Sequence, residues 1–476
     1  MPASSTLTEQ ELPWELRDAT DGGRLELVVA WSLDEPNRVG ESARVDGARM
    51  LGRGGEAWEE DRLRFRRWRP GQPGTAEALQ SPRISRDQVR VRPEGDQHLW
   101  VENIGRCKLR INGEERGEGE ARPGDTLTLR NTVVLVVVRR EPLSGLAGLL
   151  PPVDFPFGGP DAFGMIGESA PAWRLRAELA FAAASPHHVL LTGPSGVGKE
   201  LAAQALHGLS ARGRKPLVSR NAATLPESLV DAELFGCARN YPNVGSPERP
   251  GLVGEANGSS LFLDEIGELP SALQAHLLRI LDLGGEYQRL GESRSRRSDL
   301  RLIAATNRDP EALKHDFLAR LTTRILLPGL DARPDDVPLL LAAALRRAAV
   351  ETPAVYARFF GADGLPRVHP DLVEALVRHR YTLHIRELHR LLWRAITTSP
   401  ADHLALTPEV RGELSLSPAA AAAPPDRAAI EAALAAAGGR AAVAAEAMGL
   451  RSRFVLYRLM KKHGIGTDEP GGGTAR

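Results

Sequence analysis

Residues 190–206 read LLTGPSGVGKELAAQAL: a short apolar run, a turn with glycines at 193, 196 and 198, a lysine, then apolar residues at helical spacing. A strand, a glycine turn and a helix in that order let main-chain N–H groups converge on phosphate oxygens. The helix N-terminus adds its positive dipole end, and a lysine at the helix start reaches the β- and γ-phosphates. Gly193, Pro194, Ser195, Gly196, Val197, Gly198, Lys199 and Glu200 are therefore the candidate nucleotide contacts. Glu200 stands where a Ser or Thr hydroxyl would normally ligate magnesium, which leaves open a damaged site or a working one of a particular kind. The bland alternative is a glycine turn before a helix; the full order of strand, turn, lysine and helix weighs against it.

Two further apolar segments end in polar groups. SLFLDEI, from Ser260 to Ile266, places Asp264 to hold magnesium through its water shell and Glu265 to orient and deprotonate an attacking water. LRLIAATN ends in Thr306 and Asn307, suited to sensing a γ-phosphate. Polar strand ends gathered beside a phosphate loop make a switch-point site in an open α/β sheet. Apolar strand candidates alternate with helical patterns from Met165 to about Pro328, which predicts a parallel sheet.

The chain of 476 residues has room for three or four domains. Lys plus Arg and Asp plus Glu both total 61, so overall charge selects no partner and a basic patch must be sought locally. Cys107 and Cys237 supply no disulfide framework, and the start MPASSTLTEQELPWELRD lacks a secretory pattern; both point to the cytoplasm. The run VVLVVV at 133–138 is too short for a bilayer and reads as a buried strand, so no membrane association is expected.

Five stretches occur in order: GPSGVGKE, NAATLPESLVDAELFG, RPGLVGEANGSSLFLDEIGELPSALQAHLLRIL, RLIAATNRD and IRELHRLL. Over about residues 165–400 they closely resemble the AAA+ domain of sigma-54-dependent transcription activators. Members commonly carry Glu after the loop lysine, so the resemblance makes Glu200 a family mark and implies ATP with Mg2+ as cofactors. It also implies that Asn221 is a switch residue for Glu265, and that Arg386 is a second sensor reaching the nucleotide from a helical lid. Ring oligomers, hexamers as a rule, would place arginine fingers in the neighbouring ATP site. Arg324 matches the second finger, Leu318 stands at the first, and Arg320 is the candidate substitute. The loop that presses on sigma-54 is replaced by Asn240-Tyr241-Pro242-Asn243-Val244-Gly245, either drifted or adapted to another partner. Tyr241 is its candidate aromatic contact, and a contact with RNA polymerase holoenzyme through sigma-54 is in question.

Flanking this core, LELVVAW, QVRVRP, HLWVEN, CKLRING, DTLTLR and TVVLVVVRR predict an all-β sandwich. Its motifs around Arg53, Ser85 and Arg86 resemble a forkhead-associated (FHA) domain, which implies binding of a phosphothreonine-bearing protein. Gln88 departs from the usual structural histidine, and Cys107-Lys108 from the usual Asn-Gly. Near the C-terminus, AAVAAEAMGLRSRFVLYRLMKKHGI has a helix-turn-helix layout and resembles a factor-for-inversion-stimulation (Fis) type DNA-binding domain. Arg451, Ser452 and Arg453 are candidates for base edges or phosphates, Arg458, Lys461 and Lys462 for phosphates, and Arg440 leads in. A multidomain chain follows: an extension (1–24), the sandwich (25–140), a linker (141–164), an α/β P-loop AAA+ core (165–332), a helical lid (333–400), a second linker (401–426), a small all-α helix-turn-helix (427–466) and a tail (467–476). Three functions fit: an ATP-driven sigma-54 regulator, a nucleotide-gated DNA-binding regulator that leaves sigma-54 alone, or a phosphopeptide scaffold with a vestigial ATPase.

Overall fold

The computed structural model describes residues 23–54, 61–72, 74–141, 147–150, 153–226, 228–282, 284–416 and 427–437, with 444, 448, 456 and 460. The N-terminal region is a pair of antiparallel sheets. One runs in the order β2 (Ser42–Arg44), β1 (Arg24–Ser32), β10 (Val133–Arg140), β9 (Thr126–Leu129), β6 (Leu109–Ile111) and β7 (Glu114–Glu115). The other orders β3 (Arg49–Leu51), β4 (Val89–Glu94), β5 (His98–Asn103) and β8 (Glu118–Ala121). Strand β4 shows the period of two that a half-buried strand requires: Val89 and Val91 face the core while Arg90 and Arg92 are exposed. Between the sheets lie Leu27, Val29, Phe65, Leu99, Val101, Leu127, Leu135 and Val137.

Strand β10 departs from that alternation, being buried on both faces from Val133 to Val138. Its outer face is covered by the helix Pro370–Arg378, which also packs on β1 and β9. The apolar run at 133–138 is therefore explained by two neighbours, one in the sandwich and one in the lid.

The central region is a five-stranded parallel sheet in the order β12 (Val218–Asn221), β13 (Ser260–Asp264), β16 (Arg301–Thr306), β11 (Val189–Thr192), β17 (Thr323–Leu326), with β14 (Glu286–Tyr287) and β15 (Arg296–Arg297) forming a separate hairpin. Both sheet faces are covered, and β11 shows it: Leu190 joins one core while Val189 and Leu191 join the other. The helices Val337–Glu351, Pro353–Phe359, Pro370–Arg378 and His384–Thr398 follow as the lid. A separate unit begins at Arg411 and contains the helix Arg427–Ala436 with a small cluster of Ile430, Ala437, Ala444, Leu456 and Met460. Arg440, Arg451, Ser452, Arg453, Arg458, Lys461 and Lys462 lie outside the described residues.

Buried charges knit the sandwich to the core. Arg69 donates to both carboxylate oxygens of Glu168, at 2.6 and 3.1 Å, and to the carbonyls of Phe155 and Pro156. Asp336 accepts from the main-chain N–H of Glu168 and Ser169 and from the Ser169 hydroxyl, fixing the start of the helix Ala170–Ala183. Arg140 donates to Glu26 at 2.7 Å and lies 3.9 Å from Asp335. Burial, and then the adjacent Asp336, push the Asp335 carboxyl well above the ordinary carboxylate range. The sign follows from linkage: above about pH 4 the unfolded chain loses this proton while the folded chain keeps it, so stability falls as pH rises towards neutrality. Asp335→Asn is expected to flatten that decline, as read by thermal melting across the window; an unchanged slope would contradict the assignment.

Candidate nucleotide site

Strand β11 ends at Thr192, and the turn that follows has the backbone its glycines permit. Gly193, Gly196 and Gly198 sit at φ of 148°, 82° and 102°, all positive. Gly198 is the N-cap of the helix Lys199–Gly208 and offers no side chain to satisfy the first-turn N–H groups, which stay available to an anion. Val197 points down into the core, whereas Pro194 and Glu200 are exposed. Glu200, in the first helical turn, sits favourably on the positive dipole end.

Lys199 is 7% exposed and donates to the carbonyls of Gly193 and Pro194 at 3.1 and 3.3 Å. Burial pushes its pKa down; Glu265 and Asp264 pull it back up, and Arg386 adds to the lowering. Lys199 thus feels two acids, Asp264 at the end of β13 and Glu265 just after it, and one arginine of the lid.

Sheet register gathers the remaining groups. Thr192 lies abreast of Thr306, and Asn221 abreast of Asp264. Asp264 Oδ1 accepts the N–H of Glu265 at 3.0 Å, and Glu265 Oε2 accepts the N–H of Asn307 at 3.3 Å. Glu265 adopts φ 51°, a left-handed conformation costing a non-glycine residue on the order of 1–2 kcal/mol. Asn221 directs its side-chain oxygen to the N–H of Ala223 at 2.9 Å, so Glu265 is held here by Asn307. Thr306 is buried and accepts the N–H of Arg308.

The lid closes onto the turn through two bonds. Arg386 Nη1 donates to Ser195 Oγ at 3.1 Å, and the main-chain N–H of Ile385 donates to the carbonyl of Gly196 at 3.1 Å. Behind Arg386 is a residue that motif reading passed over. Glu387 is 2% exposed and accepts from Thr382 N at 2.7 Å and Leu383 N at 3.0 Å, with His379 Nε2 at 3.1 Å. Its carboxylate caps the helix that carries Arg386; the only signal in the sequence is an acid in the first turn.

The finger segment divides in two. Leu318 is buried in the core, and Arg320 is held by Asp282 of its own chain at 2.6 Å. Arg324 is exposed on edge strand β17. In the loop 240–245, Tyr241 packs back against Gly291, and Val244, 96% exposed, forms the apolar tip. Asn240 closes the turn by accepting the N–H of Gly245.

In the sandwich, Arg53 N donates to the carbonyl of Ser85, which sets Arg53 and Ser85 side by side, with Arg86 exposed next in the chain. A Cβ at Gly52 would meet the Arg86 carbonyl, so glycine is required for that approach. Gln88 is fully buried; its oxygen accepts from Ser85 N and Cys107 N, and its amide donates to Asn103 and to the Cys107 carbonyl. One amide side chain thus ties both loops together. A cavity of about 830 Å3, lined in part by Trp31, Phe157, Leu339 and Val373, has no nucleotide-loop residue in its wall.

A phosphate loop on a parallel sheet, with acids at the next strand ends and a helical lid, defines a nucleotide-binding AAA+ core. Residues 165–327 match the family described as Sigma-54 interaction domain. The anaerobic nitric oxide reductase transcription regulator NorR of Aeromonas hydrophila is 38% identical over 257 residues, covering 52% of this chain and 49% of that protein. The transcriptional regulatory protein ZraR of Salmonella typhimurium is 37% identical over 258 residues, covering 53% and 56%. NtrX from Brucella abortus, solved in complex with ADP, aligns with a TM-score of 0.46 and 27% identity over 64% of this chain and 70% of that one. The chain spans about half the length of the curated relatives it matches. Among the described residues, no helix is long and apolar enough to cross a membrane.

Gly196→Ala should separate lid from loop, because a Cβ there would collide with the Leu383 carbonyl and φ is positive. Hydrogen exchange at the Ile385 amide is expected to accelerate at least tenfold, roughly the loss of one sheltered hydrogen bond; unchanged protection would refute the docking.

Proposed function

We propose that this chain is an ATP-dependent, DNA-binding transcription regulator of the sigma-54 activator family that responds to a phosphopeptide. The observation that carries the nucleotide part is the positive-φ glycine turn itself, with Lys199 bonded to its carbonyls and Arg386 of the lid bonded to Ser195. ATP would lie with its phosphates on the N–H groups of 193–199, Lys199 turning from the loop carbonyls to the phosphate oxygens. The carboxylate of Asp264, beside that turn, suits a hydrated Mg2+, which would supply charge neutralisation of the phosphates. Glu265 would take the proton of the attacking water, released from Asn307 and engaged by Asn221 according to the nucleotide bound. Thr306 and Asn307 would report the γ-phosphate.

Hydrolysis would be completed in a ring oligomer, with Arg324 reaching the neighbour's site. With Leu318 in the core, the first finger position supplies no arginine; Arg320, in a half-exposed pair with Asp282, is the candidate substitute beside Arg324. An arginine finger is worth roughly 10³–10⁵ in rate, so the loss of the first finger at Leu318 predicts slow turnover unless Arg320 replaces it. Arg53, Ser85 and Arg86 would bind the phosphate of a phosphothreonine partner as a guanidinium fork, a hydroxyl and a second cation. The Fis-like segment would hold the assembly on DNA.

A second reading keeps nucleotide and DNA binding but removes sigma-54 remodelling, and the loop at 240–245 favours it. Its aromatic residue packs on Gly291 and stays 39% exposed, while an aliphatic side chain, Val244, stands at the tip. Purified protein with sigma-54 holoenzyme, an upstream DNA site and ATP decides between them. ATP-dependent open complexes, lost in Lys199→Ala, are expected on the first reading; their absence with intact ATP binding selects the second. Arg53→Ala should weaken phosphothreonine-peptide binding at least tenfold, about the worth of one charge-assisted contact, at unchanged DNA affinity. Equal peptide affinity would dismiss the sensor role.

A further inference from the structure

We propose that the β-sandwich works as part of the nucleotide machinery: Arg110 and Thr126 are positioning residues that hold the lid, and through it Arg386, over the glycine turn. The inference rests on the reading of that turn as a nucleotide site. It begins with Glu374, a carboxylate 5% exposed on the helix Pro370–Arg378, whose oxygens are bonded by residues of the sandwich. A buried carboxylate needs partners, and both partners come from strands of the sandwich. Arg110 of β6 donates to Glu374 at 3.0 Å and to Asp371 at 2.7 Å. Thr126 of β9, fully buried, donates its hydroxyl to the other oxygen of Glu374 at 3.1 Å. Arg378, at the end of the same helix, returns the contact by donating to the carbonyl of Asn112 at 2.6 Å.

Hydrogen bonds join that helix to the one bearing Arg386. Tyr381 donates its hydroxyl to the carbonyl of Leu376 at 2.8 Å and its N–H to Asp331 at 3.0 Å. His379 and Thr382 both engage Glu387, the neighbour of Arg386. The sandwich also grips the base of the ATPase core, through Arg69 on Glu168. A lid hinged to its base can swing; a third body bound to both closes the triangle and sets the angle. Anything that draws the sandwich away would therefore release Arg386 from Ser195, and this gives a phosphopeptide at Arg53 a mechanical route to the nucleotide.

The test uses the full-length chain with a fluorescent ADP analogue, following its dissociation by stopped flow and Ile385 amide exchange by mass spectrometry. Arg110→Ala is expected to speed dissociation about tenfold, the scale of one buried charge-assisted contact, and to raise Ile385 exchange while β10 amides stay protected. Arg110→Lys should restore part of both effects. Thr126→Val, nearly the same shape, should give a smaller change in the same direction, and it decides the matter if Arg110→Ala does not fold. Unchanged Ile385 exchange and unchanged dissociation in a folded variant would overturn the proposal. Should the unaltered protein bind no ADP analogue, the nucleotide reading fails by itself, and Ile385 exchange still decides whether the sandwich sets the lid.

Discussion

The Gly196 carbonyl accepts the Ile385 N–H at 3.1 Å, and the relation between glycine turn and lid depends on that contact. It requires a residue without Cβ at 196, because the Leu383 carbonyl occupies the place a side chain would take. With that approach secured, Arg386 reaches Ser195, and the lid helix His384–Thr398 begins beside the glycine turn. The strand ends would otherwise form a shallow rim: Lys199 on one side, Asp264 and Glu265 on the other. The lid turns the rim into a site with a third wall, and its arginine is felt electrostatically at Lys199.

Charge burial is the second organising element. Glu168, Asp335, Asp336 and Glu374 are each below one-tenth exposed, and each lies where two parts of the chain meet. Replacing such groups by apolar ones is often neutral for stability, whereas removing one partner is costly. The seams are therefore specific more than strong. They select one orientation of sandwich, base and lid, and they leave stability sensitive to anything that separates the partners. Aromatic faces reinforce the same places: Arg69 lies 4.6 Å from the Phe155 ring centroid and Arg140 4.3 Å from that of Trp68.

Much of this was legible in local pattern. The strand, turn and helix at 189–208 need only short-range information: apolar residues, glycines at fixed spacing and a helical period. The acids ending β13 and the threonine ending β16 were legible for the same reason. What escaped depends on partners far along the chain. Residues 61–79 pair only by isolated bridges, so no alternation marks Phe65 and Leu79, although both are buried in the sandwich core. The Pro and Gly of 153–164 signal irregular backbone, but the contact of Phe155 with Arg69 spans 86 residues. The burial of VVLVVV was readable; that a lid helix supplies its outer cover was not. Tyr241 was legible as an aromatic of the loop, and it is 39% exposed; its packing on Gly291 and the fuller exposure of Val244 were not legible. Gln88 read as a departure from its resemblance, whereas its four bonds show an amide filling a bracing role.

The central claim is that the glycine turn, the paired acids and the docked lid form one nucleotide site, with Lys199 as its principal cation. Calorimetric titration of the intact chain with ATP and Mg2+ tests it most directly. The account predicts saturable binding at one site per chain, abolished by Lys199→Ala and weakened by Arg386→Ala. Absence of binding heat with the unaltered chain, or equal affinity in the Lys199→Ala protein, would contradict it.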